Sequence, residues 1–428
     1  MVPPVCCTLF PMPMEPDDRQ PVHTVYGGAQ LFRADVAARL GARALAALAE
    51  YAPDPEALAE AVGLPAALAE TVYGRMVEKL HREPVEDFRI DFEDGYGRRP
   101  DAEEDGHARA AAGEVARGME TGSLPPCLGL RIKPLAEEVA SRGLRTLEIF
   151  FKELAERTGG RLPPRFVVTL PKVTRPEEVA ALADALDLLE AVLGSGRLGL
   201  EIMVETPQAL LDETGAVPLR RMVDAARGRC AAACFGPYDY TAALGITAAH
   251  QRYDHPACDY ARQTMLVALA GSGVRLADGP VTLLPIPPHR PEAGDLPLGP
   301  EERAANRAAV HAAWRLHYGL VQRSLGAGFR QGWDLHPAQL PTRYAAVYAF
   351  LLEGFDDAAG RLRNFIERAA QATRVGAVFD DAATAQGLVN TVLSAVACGA
   401  LSEEELEART GLSLAILRDR SFAPVAPG

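Results

Sequence analysis

The sequence predicts an α/β fold, a (β/α)8 TIM barrel with a C-terminal helical extension. Three observations carry this expectation. Eight short apolar runs of strand length are spaced along the chain; amphipathic segments of helical period separate them; and no glycine-rich GxGxxG loop follows any run. Strict strand–helix alternation points to a parallel sheet. Eight units favour a closed barrel over an open doubly wound sheet, and the missing glycine-rich loop weakens the dinucleotide-binding alternative.

Taken in order, residues 1–22 are proline-rich and carry acids, so they read as an irregular N-terminal arm. The runs are His23–Tyr26, Phe88–Asp91, Gly129–Ile132, Phe166–Leu170, Gly199–Val204, Ala232–Phe235, Val274–Ala277 and Gly332–Leu335. Each has the length of a parallel strand covered on both faces. Two Ala/Leu-rich amphipathic segments, Leu31–Tyr51 and Pro65–His81, make the first unit over-long. Helices over Asp101–Gly118, Leu144–Arg157, Pro176–Leu193, Pro218–Arg227, Tyr260–Ser272 and Glu301–Leu325 continue the alternation. Thr174-Arg175-Pro176-Glu177-Glu178 supplies a helix start: a capping residue, a proline near the first turn and early acids. The proline-rich stretch Leu283–Pro300 reads as a loop. The barrel domain is therefore expected over 23–341. Beyond it, Tyr344–Gly354, Ala358–Thr373, Asp381–Cys398 and Ser402–Thr410 read as helices without strands, within an extension over 342–428 that ends in a tail, Ser421–Gly428. Ser402-Glu403-Glu404-Glu405 has the form of a capping box.

Composition narrows the functional classes. The 428 residues, 48% of them hydrophobic, suit a globular chain with a large core, and no apolar run approaches the roughly 20 residues that span a bilayer. A net charge of −13 disfavours nucleic acid and anionic membranes as partners. Seven cysteines without a CxxC pair, and an N-terminus lacking a basic-then-apolar leader, point to a reducing cytoplasm. Only four lysines occur, and two of them, Lys133 and Lys172, stand at expected strand ends.

Active sites of βα-barrels form at the C-terminal ends of the strands. The residues expected there are Asp91, Glu93 and Asp94 after the second strand, Arg131 and Lys133 after the third, and Lys172 after the fourth. Glu205 follows the fifth, Asp239 the sixth, and Asp334 and His336 the eighth. Lone carboxylates on two neighbouring strand ends, Glu205 and Asp239, are what Mg²⁺ takes: one or two carboxylates, retained waters, and open positions for substrate oxygens. Arg131 and Lys172 add positive charge to the same rim.

Six segments in order along the chain carry a resemblance. Ile90-Asp91-Phe92-Glu93-Asp94-Gly95 resembles the D-L-E-D segment of the citrate lyase β-subunit family, Leu130-Arg131-Ile132-Lys133-Pro134 its R-V-N, and Leu170-Pro171-Lys172-Val173 its L-P-K-V. Val204-Glu205-Thr206 is similar to the family's I-E-T. Phe235-Gly236-Pro237-Tyr238-Asp239-Tyr240 opens a G-P-x-D-L-like segment, and Trp333-Asp334-Leu335-His336-Pro337-Ala338-Gln339 resembles W-x-I-H-P-x-Q. The resemblance is to the superfamily of citrate lyase β-subunits, malyl-CoA lyases and hydroxy-oxo-acid aldolases, and spans roughly Val22 to Arg343. It implies Mg²⁺, or Mn²⁺, on Glu205 and Asp239. It also implies a substrate-gripping Arg131; beside it the strand ends offer Asp91, Glu93, Gly236 and Pro237 as substrate-binding candidates and Asp94 and Lys172 as catalytic candidates, with the Asp91/Glu93/Asp94 cluster expected to anchor metal-bound waters or Arg131. The implied reaction is reversible carbon–carbon cleavage through a metal-stabilised enolate, on a 2-oxo acid and possibly an acyl-CoA, in a homotrimer or homohexamer. Lys133 departs from the family asparagine, and Gly95-Tyr96-Gly97-Arg98-Arg99 from its usual helix start. Two other readings stand beside it: a metal-dependent acyl-CoA thioester hydrolase, and a barrel protein without catalysis.

Overall fold

A computed structural model describes residues 19–136, 139–194, 196–291, 297–371 and 382–419. Most of the expected arm and all of the expected tail lie outside these residues.

Eight parallel strands close into one barrel in sequence order, with β1 hydrogen-bonded to β8. They are β1 (His23–Gly28), β2 (Asp87–Asp91), β3 (Cys127–Arg131), β4 (Val167–Leu170), β5 (Gly199–Val204), β6 (Cys230–Phe235), β7 (Arg275–Pro280) and β8 (Gln331–Asp334). Each expected run overlaps its strand to within a few residues. The outward residues are apolar because helices cover them: Phe88, Ile90, Leu128, Leu130, Val168, Leu170, Leu200, Ile202, Val204 and Phe235 are all buried. Each such side chain contributes about 1.5–3 kcal/mol by leaving water.

The inner face is built differently. Side chains alternate along a strand, so Thr24 and Tyr26, Asp87, Arg89 and Asp91, Thr169, Glu201 and Met203, and Gln331 and Trp333 share the lumen. Contacts across the barrel and between neighbouring strands place them there. Arg89 Nη2 of β2 pairs with Glu201 Oε2 of β5 at 3.0 Å, and Tyr26 of β1 donates to Glu201 Oε1 at 3.3 Å. Thr169 Oγ1 donates to Glu201 at 2.7 Å, and Gln331 Nε2 donates to Thr24 Oγ1 at 2.8 Å. Arg89 also pairs with Asp87. The lower lumen is thus filled by a connected polar network, in which every charge has an opposite partner, as burial requires.

Between β1 and β2 run three helices, Val36–Tyr51, Pro55–Val62 and Ala66–Arg82, rather than the two expected. Asp54 accepts from the Ala57 N–H at 2.8 Å and starts the middle one, which Gly63 ends in the left-handed conformation (φ 81°). The expected start at Leu31 falls in a short 3-10 turn, Ala29–Leu31. After β8, the helix Leu340–Leu352 is buried along nearly its whole length. It packs against the helices Pro300–Gly326 and Ala66–Arg82, so it closes the helical ring, and the expected boundary at 341/342 falls inside it. The helices Phe355–Gln371, Ala382–Cys398, Glu403–Thr410 and Leu414–Asp419 follow, the third opened by the Ser402/Glu405 capping box. Among the described residues no helix is long and apolar enough to cross a membrane.

Candidate active site

The C-terminal ends of β2 and β3 are in register, Asp91 opposite Arg131. Arg131 donates from Nε to Asp91 Oδ1 at 2.7 Å and from Nη2 to Oδ2, a two-pronged ion pair that is nearly shut off from water. Asp91 also accepts the backbone N–H of Glu93 at 2.9 Å and of Gly95 at 2.7 Å, so both its oxygens are occupied by the protein. A Cβ on Gly95 would lie 2.5 Å from Asp91 Oδ2, which is why the turn over this carboxylate needs glycine. The Arg131 guanidinium lies over the rings of Tyr26 and Trp333, 4.9 and 5.4 Å from their centroids. Its Nη1 stands 3.2 Å from Glu93 Oε2 and 3.9 Å from Asp94 Oδ2. Burial pushes the Glu93 carboxyl up in spite of Arg131, whereas hydrogen bonding from Glu93 and the charge of Lys172 pull Asp94 down against its own burial.

Lys172 follows β4 with φ +53°, a left-handed backbone that is uncommon for a residue with a side chain. In this conformation its backbone N–H donates to Glu205 Oε1 at 2.7 Å. Its ammonium pairs with Glu93 and stands 3.3 Å from Asp94 Oδ1 and 3.8 Å from Asp239 Oδ1. One residue thereby ties the acidic loop after β2 to the ends of β5 and β6.

β5 and β6 bring the other two carboxylates together. Val204 pairs with Phe235, and the Gly236 N–H donates to Val204 O at 3.0 Å. Glu205 and Gly236 are consequently side by side: a Cβ on Gly236 would lie 2.4 Å from Glu205 Oε2. Pro237 opens the short helix Pro237–Ala243, whose first turn carries Asp239 with its side chain 42% exposed. Glu205 is only 3% exposed, and burial, with the charge of Asp239 added, pushes its carboxyl up to about 8. These residues fit a hard divalent cation. One buried and one open carboxylate follow neighbouring strands, and glycine at 236 leaves space against the Glu205 oxygen that any side chain would fill. Among the described residues no three or more His, Cys, Asp and Glu side chains gather to hold a metal ion. A two-carboxylate set suits Mg²⁺ rather than a zinc-type cage.

The structure therefore gathers Asp91, Glu93, Asp94, Arg131, Lys172, Glu205, Gly236, Pro237 and Asp239 on one face. Three residues expected at strand ends do other things. Asp334 faces away from the lumen, where Arg343 donates to it from Nη2 at 2.8 Å and His317 and His23 flank it at 3.0 and 3.3 Å. His336 caps the turn that follows β8, its Nδ1 accepting from the Ala338 N–H at 3.2 Å. Lys133 turns to Glu104 at 2.6 Å and Phe92 O at 2.9 Å, pinning the helix Asp101–Thr121 to the top of β3. Two lumen residues close to Arg131 were not expected in the site. Tyr26 ends the first apolar run, a position that marks a strand top, and Trp333 reads as core because tryptophan at a strand end has no polar signature.

Comparison with known proteins places the chain. Residues 9–425 match the family model described as Domain of unknown function (DUF6986). The chain belongs to this family. No curated protein matches it. Among solved structures it is similar to Haloferax volcanii malate synthase at 3 mM glyoxylate, with 16% identity and TM-score 0.48 over 96% of this chain and 100% of the other. It is also similar to the citrate lyase β-subunit of M. tuberculosis complexed with oxaloacetate and magnesium, with 15% identity and TM-score 0.43 over 77% of this chain and 98% of the other.

Proposed function

We propose that this DUF6986 member is a Mg²⁺-dependent carbon–carbon lyase or aldolase that works on a 2-oxo acid through an enolate. The observation that carries the reading is the pairing of a buried Glu205 with Asp239 across β5 and β6, opposite a fully buried Arg131. A divalent cation held by those two carboxylates supplies Lewis acidity for the charge that develops on an enolate oxygen. The chain's own residues do the remainder. The Arg131 guanidinium, held rigid by Asp91, presents preorganised positive charge through Nη1. Lys172 fixes Glu205 through its backbone N–H and neutralises Glu93 and Asp94 with its ammonium. Asp91 is a positioning residue, since its oxygens are already engaged. Glu93, whose carboxyl is pushed up by burial, is the rim group outside the metal pair suited to carry a proton.

On this reading the protein acts in the cytoplasm as a homo-oligomer, a trimer or hexamer by resemblance, on a 2-oxo acid with or without an acyl-CoA partner. The test is direct. The purified protein is incubated with Mg²⁺ and malyl-CoA or candidate hydroxy-oxo acids, and products are identified by mass spectrometry. Release of glyoxylate or pyruvate supports the reading; free malate from malyl-CoA identifies a thioester hydrolase instead. Full metal-dependent activity in Glu205→Gln sinks the metal assignment.

A further inference from the structure

Asp278 on β7 is a fully buried carboxylate that stands outside the candidate site. Four neighbours hold it. Arg262 Nε donates to its Oδ1 at 2.9 Å and to its Oδ2 at 3.0 Å, and Ser324 Oγ donates to Oδ2 at 2.7 Å. The Tyr253 hydroxyl donates to Oδ2 as well, and the Gly279 N–H donates to Oδ1 at 2.9 Å. Arg262 belongs to the helix Pro256–Leu269 and Ser324 to the helix Pro300–Gly326. The end of β7 is thereby anchored to two helices outside the barrel. Desolvation offsets much of the attraction in a buried ion pair, which leaves its fixed geometry as what it offers the fold.

What it holds in place is Gly279. Cys234 of β6 pairs with Ala277 of β7, and two residues further along come Gly236 and Gly279. Pro237 then opens the helix Pro237–Ala243. A Cβ on Gly279 would lie 2.2 Å from Pro237 Cδ and 2.7 Å from both Pro237 Cγ and Phe235 O. Carbon atoms meet at about 3.5–4.0 Å, so a side chain here would drive β7 and Pro237 about 1 Å apart. The φ of Gly279 is not in the left-handed region, so contact rather than backbone conformation demands the glycine. A second tie joins the same elements: Thr282 Oγ1 donates to the Tyr238 hydroxyl at 3.0 Å. The Pro237 ring thus rests on bare β7 backbone, two residues before Asp239.

We propose that Gly279 is a positioning residue for Asp239. Its missing side chain seats Pro237 against β7, the Asp278 clamp keeps that seat fixed, and together they set where the helix Pro237–Ala243 presents the Asp239 carboxylate. The inference rests on the proposed function, because it takes Asp239 to hold Mg²⁺. It goes beyond that reading by placing a determinant of metal affinity on β7, a strand that supplies no ligand. Displacing Pro237 moves the start of the helix that carries Asp239, whereas Glu205 keeps its place on β5 with the Lys172 N–H on its Oε1.

The test titrates the full-length protein with Mg²⁺ by calorimetry and reads the melting temperature of the metal-free form beside it. Gly279→Ala is expected to weaken Mg²⁺ binding about tenfold to a hundredfold, as loss of a group that orients a metal ligand does. Gly118→Ala is the control for crowding alone: its Cβ would lie 2.4 Å from Leu124 Cδ2, in the helix Asp101–Thr121 outside the site. It is expected to lower the melting temperature and to keep Mg²⁺ affinity within about twofold of the wild type. Adding Pro237→Ala to Gly279→Ala removes the Cγ and Cδ that the new Cβ meets, so the double variant is expected to bind Mg²⁺ more tightly than Gly279→Ala. Affinity within about twofold of the wild type in Gly279→Ala, an equal loss in the control, or a double variant that recovers nothing overturns the inference and leaves the metal reading standing. Should Gly279→Ala not fold, Pro237→Ala alone decides, since it empties the seat: a weaker Mg²⁺ affinity is expected, and one within about twofold of the wild type overturns the inference. Failure of the wild type to bind Mg²⁺ overturns the inference together with the reading it rests on.

Discussion

Replacing Glu205 by glutamine separates the cost of this buried carboxylate from its use. Its carboxyl is pushed from 4.5 to about 8, by burial first and by Asp239 second. A tenfold change in a protonation equilibrium is worth about 1.4 kcal/mol, so the full cost of ionising Glu205 in the folded, metal-free protein is on the order of 5 kcal/mol. The raised value means that the native state binds the extra proton between pH 4.5 and 8. Glu205 therefore lowers stability progressively as pH rises through that window, and the effect levels off above 8. Glutamine keeps an oxygen for the Lys172 N–H and removes the charge. At pH 7 the metal-free variant should be more stable than the wild type by about 3 kcal/mol, and the gap should shrink towards pH 5. For a chain of this length the unfolding entropy is about 0.9 kcal/mol/K, which converts the pH 7 difference to a rise of roughly 3–4 °C. Mg²⁺ should then raise the melting temperature of the wild type, more at pH 8 than at pH 6 where it competes with the proton, and leave the variant unmoved. Differential scanning calorimetry from pH 5 to 9, with and without Mg²⁺, measures both effects. A wild type whose stability runs parallel to the variant's across that range, or a variant that still gains from Mg²⁺, would refute the reasoning.

Other substitutions probe the same architecture. Gly236→Ala places a Cβ 2.4 Å from Glu205 Oε2, so calorimetric titration should show Mg²⁺ affinity reduced tenfold or more with the fold retained by circular dichroism. Arg131→Ala leaves Asp91 charged and buried without its partner; unfolding should cost about 3–5 kcal/mol less, read by denaturant titration. Asp334→Asn removes the charge that Arg343, His23 and His317 surround, so it should lower stability by a similar few kcal/mol with Mg²⁺ affinity unchanged. Lys133→Met should cost about 1–2 kcal/mol, because Glu104 keeps Thr146 at 2.7 Å and Arg142 at 3.3 Å, and should not alter pyruvate binding.

The amino-acid sequence by itself determined the barrel, because eight parallel strands roofed by helices need outward apolar residues and regular helical periodicity, and both are local patterns. It also determined the rim: the residue ending each strand is set by chain position, so Asp91, Arg131, Lys172, Glu205 and Asp239 were legible as one constellation. Where that rule failed, direction was the cause. Asp334 ends β8 as Glu205 follows β5, but alternation turns it outward to Arg343 and His317, and strand ends alone do not say which face a side chain takes. Only the tertiary structure decided which charges are matched. Asp87, Arg89 and Glu201 lie far apart in sequence inside otherwise apolar runs, and they meet across the lumen because the sheet closes. The same closure brings Tyr26 and Trp333, from opposite ends of the barrel sequence, beneath Arg131. Among the described residues it leaves the Trp333 indole N–H without an acceptor, since hydrogen-bond satisfaction depends on every neighbour at once and no local pattern encodes it.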